Sequence, residues 1–343
     1  MNDTINPRQK QIVNVISQRE GLSRQEIATL MPDTSVAKIT FVRDLNLLSK
    51  KGYIIQKGKA RASKYYASQA NLIHRYFDLE EYFSKDPDDR SGARKTFNFD
   101  IFNSLTNIFS DSEIQEISHH QRSFDQEIKN KEELSRFIVE LSWKSSKIEG
   151  NTYSLLETET LIHDSQEAFG HNQEEAIMIL NHKRAFEWIL DNKDDFKKIS
   201  MSKINILHDL IVANLGISKN IRTHGVGITG SVYKPLNNKF QIEEAMEKTI
   251  ELINKTSSPL EKAFIAKCMF AYIQPYEDGN KRTSRMLTNA ILLAHGLFPI
   301  SYRSVNADEL KKAMILFYEQ NSLYHLKRLF IEQLIFAFEN YFT

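Results

Sequence analysis

Residues 273–296, IQPYEDGNKRTSRMLTNAILLAHG, restrict the fold of this chain most tightly. Pro275 and the acidic pair Glu277-Asp278 lead into Gly279-Asn280. Met286, Leu287, Ala290, Ile291 and Ala294 then recur at helical spacing up to a stop at Gly296. Arg282 and Arg285 are three apart and share one face, a turn from the helix start. Free N–H groups of a first turn, with the positive end of the helix dipole, form an anion site. Gly279 lets the backbone approach an anion, and Asn280 can donate from its side chain. The two arginines add charge-assisted hydrogen bonds suited to phosphate oxygens. Asp278 is placed to hold a magnesium ion bridging phosphates. The constellation reads as a polyphosphate–magnesium cradle; the competing reading is a capped helix with solvated arginines.

With 343 residues the chain is long enough for two or three domains and a sizeable core. Its apolar (41%) and charged (26%) fractions are those of an ordinary globular protein. The single cysteine, Cys268, excludes an internal disulfide framework and reads as a buried thiol. No apolar run suits a bilayer span and the N-terminus lacks a signal-peptide core, so a cytoplasmic protein with no membrane partner is expected.

The net charge of +1 conceals an asymmetry. Residues 1–75 hold thirteen Lys and Arg against five Asp and Glu, a surplus of eight positive charges that leaves the remainder at −7. Ile12, Val13, Val15 and Ile16 mark a first helix. Ser23 and Glu26 form a capping box for a second, and Val42, Leu45 and Leu48 face inward on a third. A strand, a turn at Lys57-Gly58-Lys59 and a second strand over 63–67 follow. This resembles a winged helix-turn-helix module. DNA contacts are expected from Ser35, Lys38, Thr40 and Arg43 on the third helix and from Lys57, Lys59 and Arg61 on the wing. The alternative is a winged helix used for protein contacts or dimerisation.

Residues 76–130 read as a helical connector without chemistry. Next comes a helix near 132–151 whose buried stripe is Leu134, Phe137, Ile138 and Leu141 and which ends in Ser145-x-x-x-Glu149-Gly150. His182 and His208 read as structurally bonded side chains. Residues 220–235 hold Val226, Ile228 and Val232 between Gly225, Gly227 and Gly230, a pattern of short strands with relaxed turns. Residues 301–343 are helical again. Tyr318, Asn321 and Tyr324 are candidates for the border of an adenine pocket, with core packing as the alternative.

The run Gln274-x-Tyr276-x-Asp278-Gly279-Asn280-Lys281-Arg282-x-x-Arg285 resembles the central motif of the Fic family, His-x-Phe-x-Asp/Glu-Gly-Asn-x-Arg-x-x-Arg. Ser145, Glu149 and Gly150 are similar to that family's inhibitory motif, and 220–235 to its target-docking flap, here Gly225, Val226, Ile228 and Gly230. The resemblance implies a mainly α fold: an all-helical Fic-type core over 131–300 with a small β-hairpin flap, beside the N-terminal winged helix. It implies transfer of AMP from ATP, with Mg2+ held by Asp278, to a Ser, Thr or Tyr hydroxyl of a protein target or of the chain itself. Gly279, Asn280, Lys281, Arg282 and Arg285 would bind the nucleotide, Arg222 and His224 would touch nucleotide or target, and Glu149 would pair with Arg285 to block the γ-phosphate. The departure is Gln274, which stands where the family has its catalytic histidine. An amide cannot take the hydroxyl proton, a role typically worth about 10²–10⁴ in rate. Transfer is therefore expected to be impaired or absent. Three readings stand: a natural nucleotide-sensing regulator, an engineered knockout, or a site in which His224 or Glu149 supplies the base. DNA and a second copy of the chain are the further partners expected.

Overall fold

A computed structural model describes residues 5–17, 21–31, 37–51, 53–58, 62–68, 72–120 and 130–341. The first elements are α1 (Pro7–Ser17), β1 (Leu22–Ser23), α2 (Arg24–Leu30), α3 (Lys38–Lys50), β2 (Ile54–Lys57) and β3 (Lys64–Ala67). Ser23 caps α2 as expected: its hydroxyl accepts from the Glu26 N–H at 3.3 Å, and the Glu26 carboxylate accepts from the Ser23 N–H at 2.7 Å. The sheet is antiparallel in the order β1-β3-β2, one strand more than the expected pair. Ile12, Ile16, Ile27, Leu45, Leu48 and Ile54 close a core of their own. Asp44 is buried in this unit, where Arg8 (2.6 Å) and Gln9 (2.7 Å) donate to it. Val42 is only half-buried; Phe41 takes the inward position beside Leu45.

The remainder is helical: α4 (Leu79–Phe83), α5 (Asp111–His120), α6 (Lys131–Ile148), α7 (Leu155–Asp164), α8 (Gln173–Asp191), α9 (Met201–Ile211), α10 (Lys239–Lys255), α11 (Pro259–Ile273), α12 (Asn280–Ala294), α13 (Ala307–Gln320) and α14 (Tyr324–Asn340). Short polar side chains set most N-termini, with Asn130, Ser154, Ser200, Asn238, Ser258 and Asn306 each accepting a first-turn N–H. Helix α11 is buried on every side from Ala263 to Ile273, as suits a run with apolar residues all round. It packs on α12, with α8 and α9 against α12 and α10 against α11. One large core runs from Ile73 to Tyr341 and includes Cys268. Among the described residues no helix is long and apolar enough to cross a membrane.

The expected β-hairpin over 220–235 is not formed; this stretch contains no strand. Its main chain is engaged elsewhere: Arg222 N–H donates to Pro275 O (3.0 Å) and Lys234 N–H to Lys95 O (3.0 Å), with one turn where Ser231 N–H donates to Ile228 O (3.1 Å). Its glycines leave few side chains to stabilise a ladder. One buried carboxylate anchors the loop's far end. Glu319 accepts from Ser231 Oγ (2.7 Å), Val232 N–H (3.2 Å), Tyr82 Oη (2.7 Å) and Arg90 Nη1 (3.2 Å).

Candidate functional site

Gln274 ends α11 in the left-handed region, at φ 49° and ψ 66°, an uncommon place for a residue with a side chain. Arg222 secures it. That guanidinium is buried, and it donates to the carbonyls of Gln274 (2.7 Å), Ile273 (3.2 Å) and His224 (2.7 Å). The Tyr276 ring stacks on His208 with centroids 3.6 Å apart, and its hydroxyl donates to Asn205. His208 Nε2 donates to the Asp278 carbonyl at 3.0 Å, which leaves Nδ1 as the bare ring nitrogen. Asn280 closes a ring on the same loop: its Oδ1 accepts from Tyr276 N–H (2.9 Å) and its Nδ2 donates to Tyr276 O (2.8 Å). Gly279 sits at φ +79°, and a Cβ there would lie 2.7 Å from Val212 Cγ1.

This loop delivers α12 with an open first turn. Unlike its neighbours, α12 has no side-chain cap, so the N–H groups of Asn280, Lys281 and Arg282 lack intrahelical partners. Arg282 is buried. Its Nη2 reaches Asp278 Oδ2 at 3.1 Å, while its Nη1 has no protein partner. Arg285 is also buried: Nη1 pairs with Glu149 Oε1 at 2.9 Å, Nε donates to Ser145 Oγ (2.8 Å) and Nη2 to Ser145 O (2.9 Å). Lys281 reaches the other Glu149 oxygen at 3.4 Å. Burial pushes the Glu149 carboxyl up, but Arg285, then Lys281 and Arg282, outweigh it and hold it below the ordinary carboxylate range.

Behind Ser145 lies His182, fully buried, with a pKa lowered by burial to about 3. The neutral ring places its proton on Nδ1, which faces Met178 O at 2.8 Å, so Nε2 accepts from Ser145 Oγ at 2.7 Å. Ser145 Oγ can then accept from Arg285. In front of Ser145, Gln274, Arg282, Arg285 and Glu149 open onto a cleft of about 700 Å³ lined by the motif loop, the end of α6, residues 226–229 and α13.

Residues 198–292 match the sequence model of the Fic/DOC family. This stretch carries a Fic/DOC domain. The chain is 25% identical over 161 residues to protein adenylyltransferase fic-1 of Caenorhabditis elegans and 29% identical over 167 residues to protein adenylyltransferase Fic of Aedes aegypti. Those alignments take in 45% and 46% of this chain and only 31% and 32% of the relatives, so the chain spans about a third of their length. Two solved structures share the fold. One is a Fic family protein from Desulfovibrio desulfuricans G20, with TM-score 0.55, 21% identity, 71% of this chain and 74% of that one. The other is residues 134–508 of Fic-1 from C. elegans, with TM-score 0.53, 20% identity and 70% of each chain.

Within the Fic/DOC cleft, Gln274, Asp278, Gly279, Asn280, Lys281, Arg282, Arg285, Glu149, Gly150, Val226 and Ile228 all line the wall, and Ser145 lies one layer behind. Gly225 and Gly230 lie outside it. Two expected roles change. Arg222 donates to three backbone carbonyls and is not among the residues lining the cleft. The Asn280 amide points into its own loop, leaving one N–H and the turn's main-chain amides for an anion. The His224 side chain is exposed and outside the lining. Of the adenine candidates only Tyr318 lines the cleft. Asn321 bonds Asn98 and Phe317 O, and Tyr324 stacks edge-on with Tyr76.

The described residues contain no cluster of three metal-ligating side chains. Asp278 is a largely exposed carboxylate held by the Gly279 N–H (2.6 Å) and Arg282 (3.1 Å), which suits a magnesium ion carried mainly by phosphates. In the basic unit Lys38 and Arg43 are exposed, Thr40 is half-buried and Lys57 is exposed with its ammonium 4.9 Å from the Tyr66 ring centre. Ser35, Lys59 and Arg61 lie outside the described residues. Lys267 is the residue that motif reading passes over; His182 is structurally bonded, to Ser145 and Met178, and Arg222 is a backbone clamp where a ligand contact was expected.

Proposed function

We propose that this chain is a protein adenylyltransferase of the Fic type, held off by Glu149 and lacking its proton acceptor at Gln274. One observation carries this: an uncapped helix start and the unpaired Arg282 Nη1 face the same cleft in which Arg285 is already held by a carboxylate. An anion site with its own internal anion is the arrangement expected of a blocked phosphate pocket. In the reaction a target hydroxyl oxygen attacks the α-phosphorus of ATP. The bond to the bridging oxygen breaks, and pyrophosphate leaves with that electron pair. Amides of residues 280–282 face the charge that builds on the α-phosphoryl oxygens, while Arg282 and Arg285 hold the leaving pyrophosphate. Magnesium, held at Asp278, would neutralise charge on the phosphate oxygens. The hydroxyl proton needs a base, and the Gln274 amide has none to offer. The open main chain of 226–229 suits registering an extended segment of target.

Labelled ATP tests the reading. Label should reach protein in Gln274→His/Glu149→Gly and stay near background in the parent chain. Silence of the double variant would end the proposal.

A second reading rests on the separate basic unit, which we take as a winged helix-turn-helix binding DNA through Lys38, Arg43 and Lys57. The chain would then be a nucleotide-sensing transcriptional regulator. Lys38→Ala/Arg43→Ala should weaken binding to duplex DNA and reduce its salt slope by about two. An unchanged slope would remove DNA from the account.

A further inference from the structure

On the floor of the cleft, Lys267 precedes Ala271 and Gln274 by one and two turns of α11, and all three line the wall. Ser284 on α12 ties the two helices together there, its hydroxyl donating to the Lys267 carbonyl at 2.9 Å. The side chain is 4% exposed. Its ammonium lies 4.6 Å from the centre of the Tyr302 ring and 3.4 Å from that residue's hydroxyl, and the same ring lies 6.0 Å from the Arg285 guanidinium carbon. Among the described residues no carboxylate pairs with Lys267. Glu149 serves Arg285 and Lys281 and leaves the Lys267 ammonium uncompensated. A buried ammonium with three donors and one long hydrogen bond is a costly thing to keep without an anion.

We propose that Lys267 is a further cation of the phosphate cleft, binding the terminal phosphate of a nucleoside triphosphate once Glu149 has released Arg285. The inference rests on reading the cleft as a nucleotide site. The planar fork of Arg285 reaches at most two oxygens of a terminal phosphate, and a compact ammonium below it serves a third. A diphosphate, one unit shorter, does not reach the floor. Lys267 thereby selects three phosphates over two.

Protonation follows binding. Burial lowers the Lys267 pKa to about 8, and the Arg285 charge works in the same direction. Cys268 is itself pushed up to about 12, and burial raises Tyr302, so neither competes for the proton near neutrality. An arriving phosphate raises the Lys267 pKa again. About half a proton should be taken up at pH 8, and little at pH 7.

Calorimetry on the full chain tests this, with a non-hydrolysable ATP analogue, ADP and magnesium, in two buffers of different ionisation enthalpy. In the Glu149→Gly background, adding Lys267→Met should weaken the triphosphate about tenfold, weaken ADP less than about twofold, and abolish proton uptake at pH 8. The methionine removes a buried charge at similar volume, and a melting curve checks that the variant is folded. Equal loss for both nucleotides, or uptake that persists in Lys267→Met, would overturn the proposal. If Arg285→Ala abolishes triphosphate binding while Lys267→Met leaves it unchanged, the floor cation is wrong and the nucleotide reading stands. If the Glu149→Gly chain itself binds no triphosphate, the nucleotide reading fails and this proposal with it.

Discussion

Replacing Gly279 by alanine should be among the most damaging single-carbon additions in the domain. The backbone there is left-handed, at φ +79°. An L-residue in that region costs roughly 1–2 kcal/mol. The new Cβ would also lie 2.7 Å from Val212 Cγ1, against about 3.5–4.0 Å for ordinary carbon contact. Overpacking of that kind typically costs about 1–3 kcal/mol. Together the loss should be about 2–5 kcal/mol, a large share of a typical domain's stability. Gly216 separates the two causes, since it has φ +68° with nothing within 4 Å of its Cβ position. Gly216→Ala should lose only about 1–2 kcal/mol, from backbone strain alone. Urea midpoints of the two variants, together with a Gly279→Ala/Val212→Ala cycle, give the contact its own value. A coupling of about 1–3 kcal/mol is expected from the cycle. Equal destabilisation at the two glycines, or zero coupling to Val212, would refute the packing argument. Gly279→Ala should also lose nucleotide affinity, because relief of the clash moves the amides of residues 280–282.

Three further outcomes follow from the site. On the proposed reading, Glu149→Gln removes the charge but not the shape of the Glu149–Arg285 pair; triphosphate affinity by calorimetry should rise about 10- to 100-fold, since a hydrogen bond to a charged group is worth about 1.5–3 kcal/mol. Arg222→Met strips three backbone carbonyls of their donor and should destabilise the fold by about 2–4 kcal/mol in urea denaturation, with no gain in exposure of a nucleotide-facing charge. His182 stays neutral when folded, with its pKa lowered to about 3, so the unfolded chain binds a proton first as pH falls below 6.5. Its contribution is complete above pH 6.5 and declines by about 1.4 kcal/mol per pH unit below it, roughly 2 kcal/mol by pH 5. His182→Asn should flatten that slope in urea melts at pH 6.5 and 5; an unchanged slope would mean the ring is not the titrating group.

Much of the motif was legible because its logic is local. Helix start, arginine spacing and the stop at Gly296 (φ +71°) all follow from neighbours in sequence. Ser145 and Glu149, four apart, converge on Arg285 as one helix end would bring them. What was illegible depends on partners chosen at long range. Arg222 is defined by carbonyls some fifty positions away, and nothing near it in sequence distinguishes a clamp from a ligand. Asn280 looks like a free donor until the loop folds back and occupies its amide. Alternating valines and glycines over 226–232 look like strands, but a strand needs a ladder, and this main chain bonds Pro275, Lys95 and its own turn instead. Lys267 sits in an apolar run, where a lone lysine gives no hint that it faces a cleft.

The bonds that hold residue 274 in its left-handed turn run through main-chain oxygens, from Arg222 on one side and from its own N–H to Phe270 O on the other. None of them depends on which side chain the position bears. On the function proposed above, a single-nucleotide change in the glutamine codon would seat an imidazole on a backbone already held in place for it.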